Sequence, residues 1–204
     1  MKSRRSLRLV LFATVAIGGL VADLATKSWI FGRLGMPGSE APIWLFSPYF
    51  SLTTSLNEGA LWGLGQGMTM LFVLLSFAAL GVILGVLFWG DAAKNLPLTL
   101  ALACITAGVI GNLFDRLGLP GLEWNDAQRW GDPVYAVRDW LHFEIPGVID
   151  WPVFNIADSL LVIGAGAIVA MSVLHDLSAW LRTKKSGDAG AMKDAASTKS
   201  SAPN

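Results

Sequence analysis

The chain has few of the residues on which most hydrolytic sites depend. It contains one cysteine, Cys104, and two histidines, His142 and His175, among 204 residues. A single cysteine excludes a disulfide framework. The histidines fall in separate parts of the chain, and no H-E-x-x-H or G-x-S-x-G motif is present. Serine, cysteine and zinc hydrolysis therefore lack their parts, and we expect no metal site.

Charge is also scarce. Charged residues make up 15% of the chain and hydrophobic residues 53%, and the mean hydropathy is +0.54, so an ordinary soluble domain is excluded. Four runs with few or no charges approach the roughly 20 residues that a helix needs to cross a bilayer. They predict spans at 8–30, 68–89, 96–116 and 154–181. We predict an all-α membrane protein with four transmembrane helices, in which residues 1–182 form a single polytopic domain.

The net charge of zero conceals an uneven distribution of charge along the chain. Because cytoplasmic segments of membrane proteins are enriched in lysine and arginine, the basic terminal segments predict that both termini are cytoplasmic. Acidic residues and tryptophans collect in the two predicted outer loops, 31–67 and 117–153. Residues 183–204 are rich in Ala, Ser, Lys and Gly, and we predict a disordered tail whose lysines lie near anionic phospholipid. No nucleic-acid partner is expected.

The two outer loops differ in their sequence patterns. Tyr49–Leu56 alternates in polarity and is rich in β-formers, which predicts a small antiparallel β element on the outer face. The second outer loop has no run long enough to cross the membrane, and it is predicted to be an extended loop.

Asp158 stands at the start of the last long apolar run, followed by sixteen uncharged residues. A charge in a span is costly, by roughly 2.5–3.5 kcal/mol at mid-bilayer on insertion scales, and marks a candidate functional site. Asn155 lies three residues earlier, which predicts that both side chains share one helical face. Pro152 is predicted to begin this helix, because a proline suits the first turn.

Three further polar groups fall at the same predicted side of the membrane as Asp158. They are Asp23 with Lys27 at i,i+4 spacing, Asn112 with Asp115 and Arg116 at the end of the third span, and Asp139 in the second outer loop. What remains for catalysis is carboxylate chemistry. Two aspartates held close together share a proton, so that one acts as base and the other as acid.

Three classes of function compete for these clusters. An intramembrane hydrolase would use a carboxylate pair, a proton- or cation-coupled transporter would place charges deep in its spans, and an assembly factor would use polar groups to fasten helices. The charges cluster at one end, and no internal repeat is visible, which disfavours the transporter. Asp158 has no basic partner nearby in sequence, which disfavours the assembly factor.

Five short motifs, in this order, resemble those of lipoprotein signal peptidase (signal peptidase II), the bacterial intramembrane aspartyl protease family. Each is individually weak, but together they cover about residues 8–181. They are Asp23-Leu24-Ala25-Thr26-Lys27, Asn57-Glu58-Gly59-Ala60-Leu61-Trp62-Gly63, Gly111-Asn112-Leu113-Phe114-Asp115-Arg116, Val137-Arg138-Asp139-Trp140 and Phe154-Asn155-Ile156-Ala157-Asp158.

The resemblance implies an endopeptidase that removes the signal peptide of a prolipoprotein just before its diacylglyceryl-modified cysteine, without a metal or cofactor. It implies a multi-pass protein of the bacterial cytoplasmic (inner) membrane, with its site near the outer face, in contact with phospholipids; we expect a monomer. Asp139 and Asp158 would be the catalytic dyad. The residues that would bind substrate or shape the site are Asp23, Lys27, Asn57, Gly59, Gly111, Asn112, Asp115, Arg116, Asn155 and Ala157.

Two departures from the family pattern leave the first aspartate open. Arg138 replaces an apolar residue, and its guanidinium would lower the pKa of Asp139 if it pointed inward. The link from Arg116 to Asp139 is also longer than usual. Asp115 is a rival with surroundings that suit a paired structural carboxylate, and Asp150 lies only eight residues before Asp158. Asp139 is the preferred partner.

Overall fold

The computed structural model describes residues 2–59, 64–90 and 92–200, with side chains described for 5–59, 64–90 and 92–182. Residues 60–63, the second half of one motif named above, lie outside the described residues. In chain order the elements are α1 (Lys2–Leu34), β1 (Ile43–Phe46), β2 (Phe50–Asn57), α2 (Thr69–Phe88), a 3-10 turn (Ala92–Lys94), α3 (Leu96–Arg116), β3 (Val137–Ile145), β4 (Ile149–Phe154) and α4 (Ile156–Ser200).

The four predicted spans are confirmed as helices. Segments of all four are long and apolar enough to cross a membrane: Arg5–Leu34, Thr69–Phe88, Leu96–Arg116 and Ile156–Arg182. The chain divides into two compact units, Met1–Ala165 and Gly166–Asn204. The first contains α1 to α3, the strands and the first turns of α4, and the second begins with the rest of α4.

Helix α3 is the central helix of the first unit. About half of the residues in the apolar part of α3 are buried. In α2 only three side chains are buried, those of Val73, Ile83 and Leu87. The exposed leucines and phenylalanines of α2 suit contact with lipid. Small residues let the neighbours of α3 approach closely. A Cβ atom on Gly108 would lie 2.4 Å from the carbonyl oxygen of Ala157, and one on Gly111 would lie 2.5 Å from Asp23 Oδ2.

The strands form one antiparallel sheet in the order β1-β2-β3-β4. The predicted β element is therefore present as β2, but it is part of a larger structure. The predicted extended loop at 117–153 was wrong in its second half, because residues 137–154 supply β3 and β4. Cross-strand pairing explains this: β3 pairs with β2, and Ser55 lies opposite Asp139. Leu52 and Trp140 then pack against Ile30 and Leu34 of α1 in a common core.

The start of α4 also differs from the expectation. Pro152 lies in β4 and does not begin the helix, which starts at Ile156. Because β4 is an edge strand, a residue without an N–H is tolerated there. At the other end, α4 extends to Ser200, and the disorder of residues 183–204 in solution stays a prediction.

We predict that Gly108→Ala destabilises the protein by about 1–3 kcal/mol, because the new methyl group would meet backbone atoms of α4 that have no room to move. Thermal unfolding of the purified protein in detergent measures the effect. Gly81→Ala on α2 is the matched control, since a Cβ there meets nothing within 4 Å. Equal melting temperatures for the two variants would contradict close packing of α3 on α4.

Candidate active site

Asn155 and Asp158 form a reciprocal pair at the start of α4. The Asp158 backbone N–H donates to Asn155 Oδ1 at 2.9 Å, and the Asn155 backbone N–H donates to Asp158 Oδ2 at 3.2 Å. This is the hydrogen-bond pattern of a capping box, with Asn155 as the residue before the helix. The expectation that both lie on one helical face was therefore wrong for Asn155. Their three-residue spacing instead fixes the Asp158 carboxylate at the helix N-terminus.

Asn112 connects Asp158 to α3 and α1. Its Nδ2 donates to Asp158 Oδ1 at 2.7 Å. Its Oδ1 accepts from Lys27 Nζ at 3.0 Å and from Asn155 Nδ2 at 3.2 Å. Because two donors face the oxygen, the orientation of the amide is determined, and the nitrogen must point to Asp158.

Asp139 lies on β3 and is 1% exposed. Its Oδ1 accepts from Asn155 Nδ2 at 2.6 Å. Its Oδ2 accepts at 3.3 Å from the Nδ2 of Asn57, the last residue of β2. Asn155 therefore touches both aspartates, through its side chain and its backbone. The two carboxylates predicted as a dyad are brought together by one asparagine and line the same cavity.

The environment of Asp139 favours a bound proton. Burial, and next the negative charge of Asp158, raise the pKa of Asp139 from 3.8 to about 8, against the opposing effects of Asn155, Lys27 and Asn57. A carboxyl group that stays protonated at neutral pH beside a second carboxylate matches the shared proton expected of an acid–base pair.

Asp115 belongs to a buried ion-pair network that adjoins the dyad through Lys27 and Asn112. Its Oδ2 lies 3.0 Å from Lys27 Nζ, and its Oδ1 lies 2.9 Å from a terminal nitrogen of Arg138. Lys27 also lies 2.8 Å from Asp23 Oδ2, whose other oxygen accepts from the backbone N–H of Ala157 at 2.9 Å. Two acids and two bases thus balance each other, as a structural role requires.

Arg138 points away from the dyad. Successive side chains of a strand face opposite sides, so Arg138 reaches Asp115 while Asp139 faces the cavity. The strand is also held by its backbone, since the Arg138 N–H donates to Asp115 Oδ2 at 3.0 Å. The inward orientation considered for Arg138 toward Asp139 is therefore wrong, because the guanidinium contacts Asp115 instead. Asp115 does not line the cavity.

Asp150, the remaining rival, lies on the exposed edge strand. Its side chain is 79% exposed, and its Oδ1 lies 2.7 Å from His142 Nε2. It does not line the cavity that Asp139 and Asp158 share.

The cavity has a volume of about 610 Å³. Arg116 lines it, donates to the carbonyl oxygen of Gly59 at 2.9 Å and lies 5.0 Å from the centre of the Phe72 ring. Gly59 is required for the tight backbone, because a Cβ there would lie 2.6 Å from the carbonyl oxygen of Leu64. Among the described residues no group of three potential metal ligands occurs.

Sequence reasoning missed the apolar wall of the cavity. The missed lining side chains lie mainly on α2, α3 and α4 and include Phe72, Val109, Leu161 and Val162. In sequence they are ordinary apolar residues of spans. Their one signal is position: Val109 precedes Asn112 by three residues, and Leu161 follows Asp158 by three, so each shares a helical face with a polar site residue.

We predict that Asp139→Asn increasingly stabilises the protein, relative to the native chain, as pH rises from about 4 to about 8. The folded chain keeps the Asp139 proton to about pH 8, whereas the unfolded chain releases it near 3.8. Native stability therefore falls with pH in this window, by at most about 1.4 kcal/mol per pH unit. Asparagine does not titrate and removes this loss.

Thermal unfolding of both proteins across the window measures the difference in melting temperature. Glu40→Gln serves as the control for removing an exposed carboxylate. A difference between Asp139→Asn and the native chain that stays constant with pH would contradict the raised pKa, whatever its absolute size.

Known proteins are similar to this chain over most of its length. Residues 15–174 match the family described as "Signal peptidase (SPase) II". The lipoprotein signal peptidase of Rhodopirellula baltica is 42% identical over 168 residues, covering 81% of this chain and 72% of that protein. The lipoprotein signal peptidase of Rhodococcus jostii is 30% identical over 178 residues, covering 82% of this chain and 74% of that protein.

A solved structure described as a bacterial membrane enzyme, determined by the in meso method at 2.3 Å resolution, is also similar. It has a TM-score of 0.66 and 28% sequence identity, covering 82% of this chain and 90% of that one. The chain therefore belongs to the signal peptidase II family, whose members are aspartic proteases that cleave signal peptides from prolipoproteins.

Proposed function

We propose that Asp139 and Asp158 are the catalytic dyad of this protease. The observation that carries the proposal is that both carboxylates line one cavity and are joined through Asn155. Asp115 and Asp150, the other candidates, are each occupied by a basic partner and lie outside the cavity lining.

The surroundings of the two aspartates support different roles. Asp158 accepts hydrogen bonds from Asn112 Nδ2 and the Asn155 backbone, and it stands in the first turn of α4. Each Asp158 oxygen therefore faces a hydrogen-bond donor, so Asp158 serves as an acceptor in this arrangement. Asp139 is buried and carries the proton. Asp158 is therefore assigned as the base and Asp139 as the acid.

Hydrolysis then proceeds with balanced proton transfers. Asp158 takes a proton from water while the water oxygen bonds to the scissile carbonyl carbon, and Asp139 gives its proton to the carbonyl oxygen. When the tetrahedral intermediate collapses, the C–N bond breaks and the departing nitrogen takes the proton from Asp158. Asp139 recovers a proton from a hydroxyl of the intermediate, which restores the starting state.

The substrate is proposed to be a prolipoprotein with a diacylglyceryl-modified cysteine, cut just before that cysteine. The apolar wall formed by Val109, Leu161 and Val162 suits a signal-peptide segment and acyl chains. Arg116, held on the carbonyl oxygen of Gly59, and Asn57 position the substrate or the dyad. Asp23, Lys27, Gly111 and Ala157 shape the site behind it.

The position of the site supports a membrane orientation. Its residues come from the C-terminal ends of α1 and α3, the N-terminal end of α4, and strands β2 and β3, which is one end of three spans. With both basic termini in the cytoplasm, this end faces outward. The protein would function as a monomer in the bacterial inner membrane, in contact with phospholipids and without a metal or cofactor.

We predict that Asp139→Asn and Asp158→Asn each lower the rate of processing by at least about 100-fold, because each removes one partner of the acid–base pair. A gel-shift assay on a purified, lipid-modified precursor measures cleavage, and thermal unfolding verifies that each variant folds. Asp150→Asn, on the exposed edge strand, is the matched control and should cleave normally. Full cleavage by either dyad variant would disprove the assignment.

We predict a different outcome for Asp115→Asn. Removing this charge leaves Lys27 and Arg138 buried with too few carboxylates, which costs about 3–5 kcal/mol. The variant should give a low yield and a lowered melting temperature in detergent. A variant with native melting temperature but no activity would instead make Asp115 a catalytic candidate again.

A further inference from the structure

The link between α3 and β3 is folded into a small hairpin. Glu123 and Pro133 form a β-bridge, and the backbone N–H of Trp124 donates to the carbonyl oxygen of Asp132 at 2.9 Å. At the tip, Asp126 Oδ1 accepts from the backbone N–H groups of Gln128 and Arg129 at 3.0 and 2.9 Å. The long link is therefore an ordered element, which we name the 122–134 hairpin.

The hairpin fixes the side chain of Arg129. Its guanidinium carbon lies 3.5 Å from the centre of the Trp124 ring, and its Nε donates to Asp126 Oδ2 at 3.0 Å. A cation over an indole face and a charge-assisted hydrogen bond both restrict the guanidinium. One terminal nitrogen then reaches out of the hairpin and lies 3.2 Å from Glu58 Oε2.

Glu58 stands between two residues of the active site. Asn57 donates to Asp139, and the carbonyl oxygen of Gly59 accepts from Arg116 at 2.9 Å. Asn57 Oδ1 in turn accepts from the backbone N–H of Gly59 at 3.0 Å. Strand β2 ends at Asn57, which still pairs with Val137 of β3. Glu58 and Gly59 lie beyond the sheet, and side-chain contacts help to fix their position.

We propose that Arg129 is a positioning residue for the proposed reaction, which holds segment 57–59 through Glu58 and thereby keeps the Asn57 amide on Asp139. This inference rests on the proposed function, because it assigns a role toward the dyad. The 122–134 hairpin contributes no residue to the dyad or to the cavity lining, and this inference assigns it a role in catalysis.

An exposed ion pair ordinarily contributes little, because two long side chains must be ordered for one contact. Both side chains are partly exposed here, at 40% and 34%. Arg129 differs from the ordinary case because Trp124 and Asp126 order it before it meets Glu58. The expected effect is modest in size. It should fall on the chemical step, because Asn57, the residue before Glu58, donates to Asp139.

The test is a double-mutant cycle in the full-length, purified protein, with a lipid-modified precursor as substrate. Arg129→Gln and Glu58→Gln should each lower kcat by about three- to fivefold, with KM unchanged. The double variant should be no slower than the slower single variant, because the second change removes nothing further. Arg129→Lys should retain more than half of native kcat, since it keeps the charge opposite Glu58.

Glu123→Gln is the matched control, because it removes an exposed carboxylate from the same hairpin, and it should leave kcat unchanged. Hydrogen exchange of the peptide spanning Asn57–Gly59 supplies a readout that does not depend on activity. Exchange should rise in both single variants and stay at the native rate in the control.

Three results would overturn the inference: multiplicative loss of kcat in the double variant, native kcat in Arg129→Gln, or unchanged exchange of segment 57–59. Failure of the dyad itself is a separate result. It would appear as cleavage by Asp139→Asn or Asp158→Asn, whereas a failed inference leaves those variants inactive and changes only the outcome of the Arg129–Glu58 cycle.

Discussion

The ammonium group of Lys27 is fully buried, and the arrangement of the site depends on how its charge is compensated. Asp23 Oδ2, Asp115 Oδ2 and Asn112 Oδ1 lie 2.8, 3.0 and 3.0 Å from Nζ. A buried charge without such partners would cost several kcal/mol. The contacts of Lys27 with Asp115 and Asn112 therefore fix α1 against α3 at this point. Asp23 also accepts from the Ala157 backbone, which adds α4. Lys27 thus sets the orientation of Asn112, and Asn112 sets that of Asp158.

Asp115 and Asp139 lie close to the same strand, β3, but have different environments. Asp115 faces Lys27 and Arg138, which compensate its charge. Asp139 is adjacent to Arg138 in sequence, yet its contacts are the amides of Asn155 and Asn57. The alternation of β3 separates the two environments. The Arg138 guanidinium pairs with Asp115 and not with Asp139. An arginine next to the proposed acid in sequence is therefore compatible with a raised pKa of Asp139.

Sequence reasoning was most successful where the physical signal is local. Run length and charge predicted the four spans, and the five motifs contain most of the polar residues that line the cavity, including Asp139 and Asp158. It failed where the environment of a residue is formed by residues remote in sequence. Pro152 suits a helix start in isolation, but β3 recruits it into an edge strand. The basic partners of Asp115 are Lys27 and Arg138, which are remote in sequence and reach it only after α1 and β3 pack on α3.

Peptide hydrolysis in a membrane needs polar groups and apolar surface at one place, and the cavity has both. The carboxylates lie where β3 and the first turn of α4 meet, while Val109 and Leu161 continue the same cavity along α3 and α4. An ion path would instead need charges through the thickness of the spans, whereas Thr69–Phe88 has no ionisable residue. The charged groups that line or adjoin the cavity instead come from one end of α1, α3 and α4 and from β3.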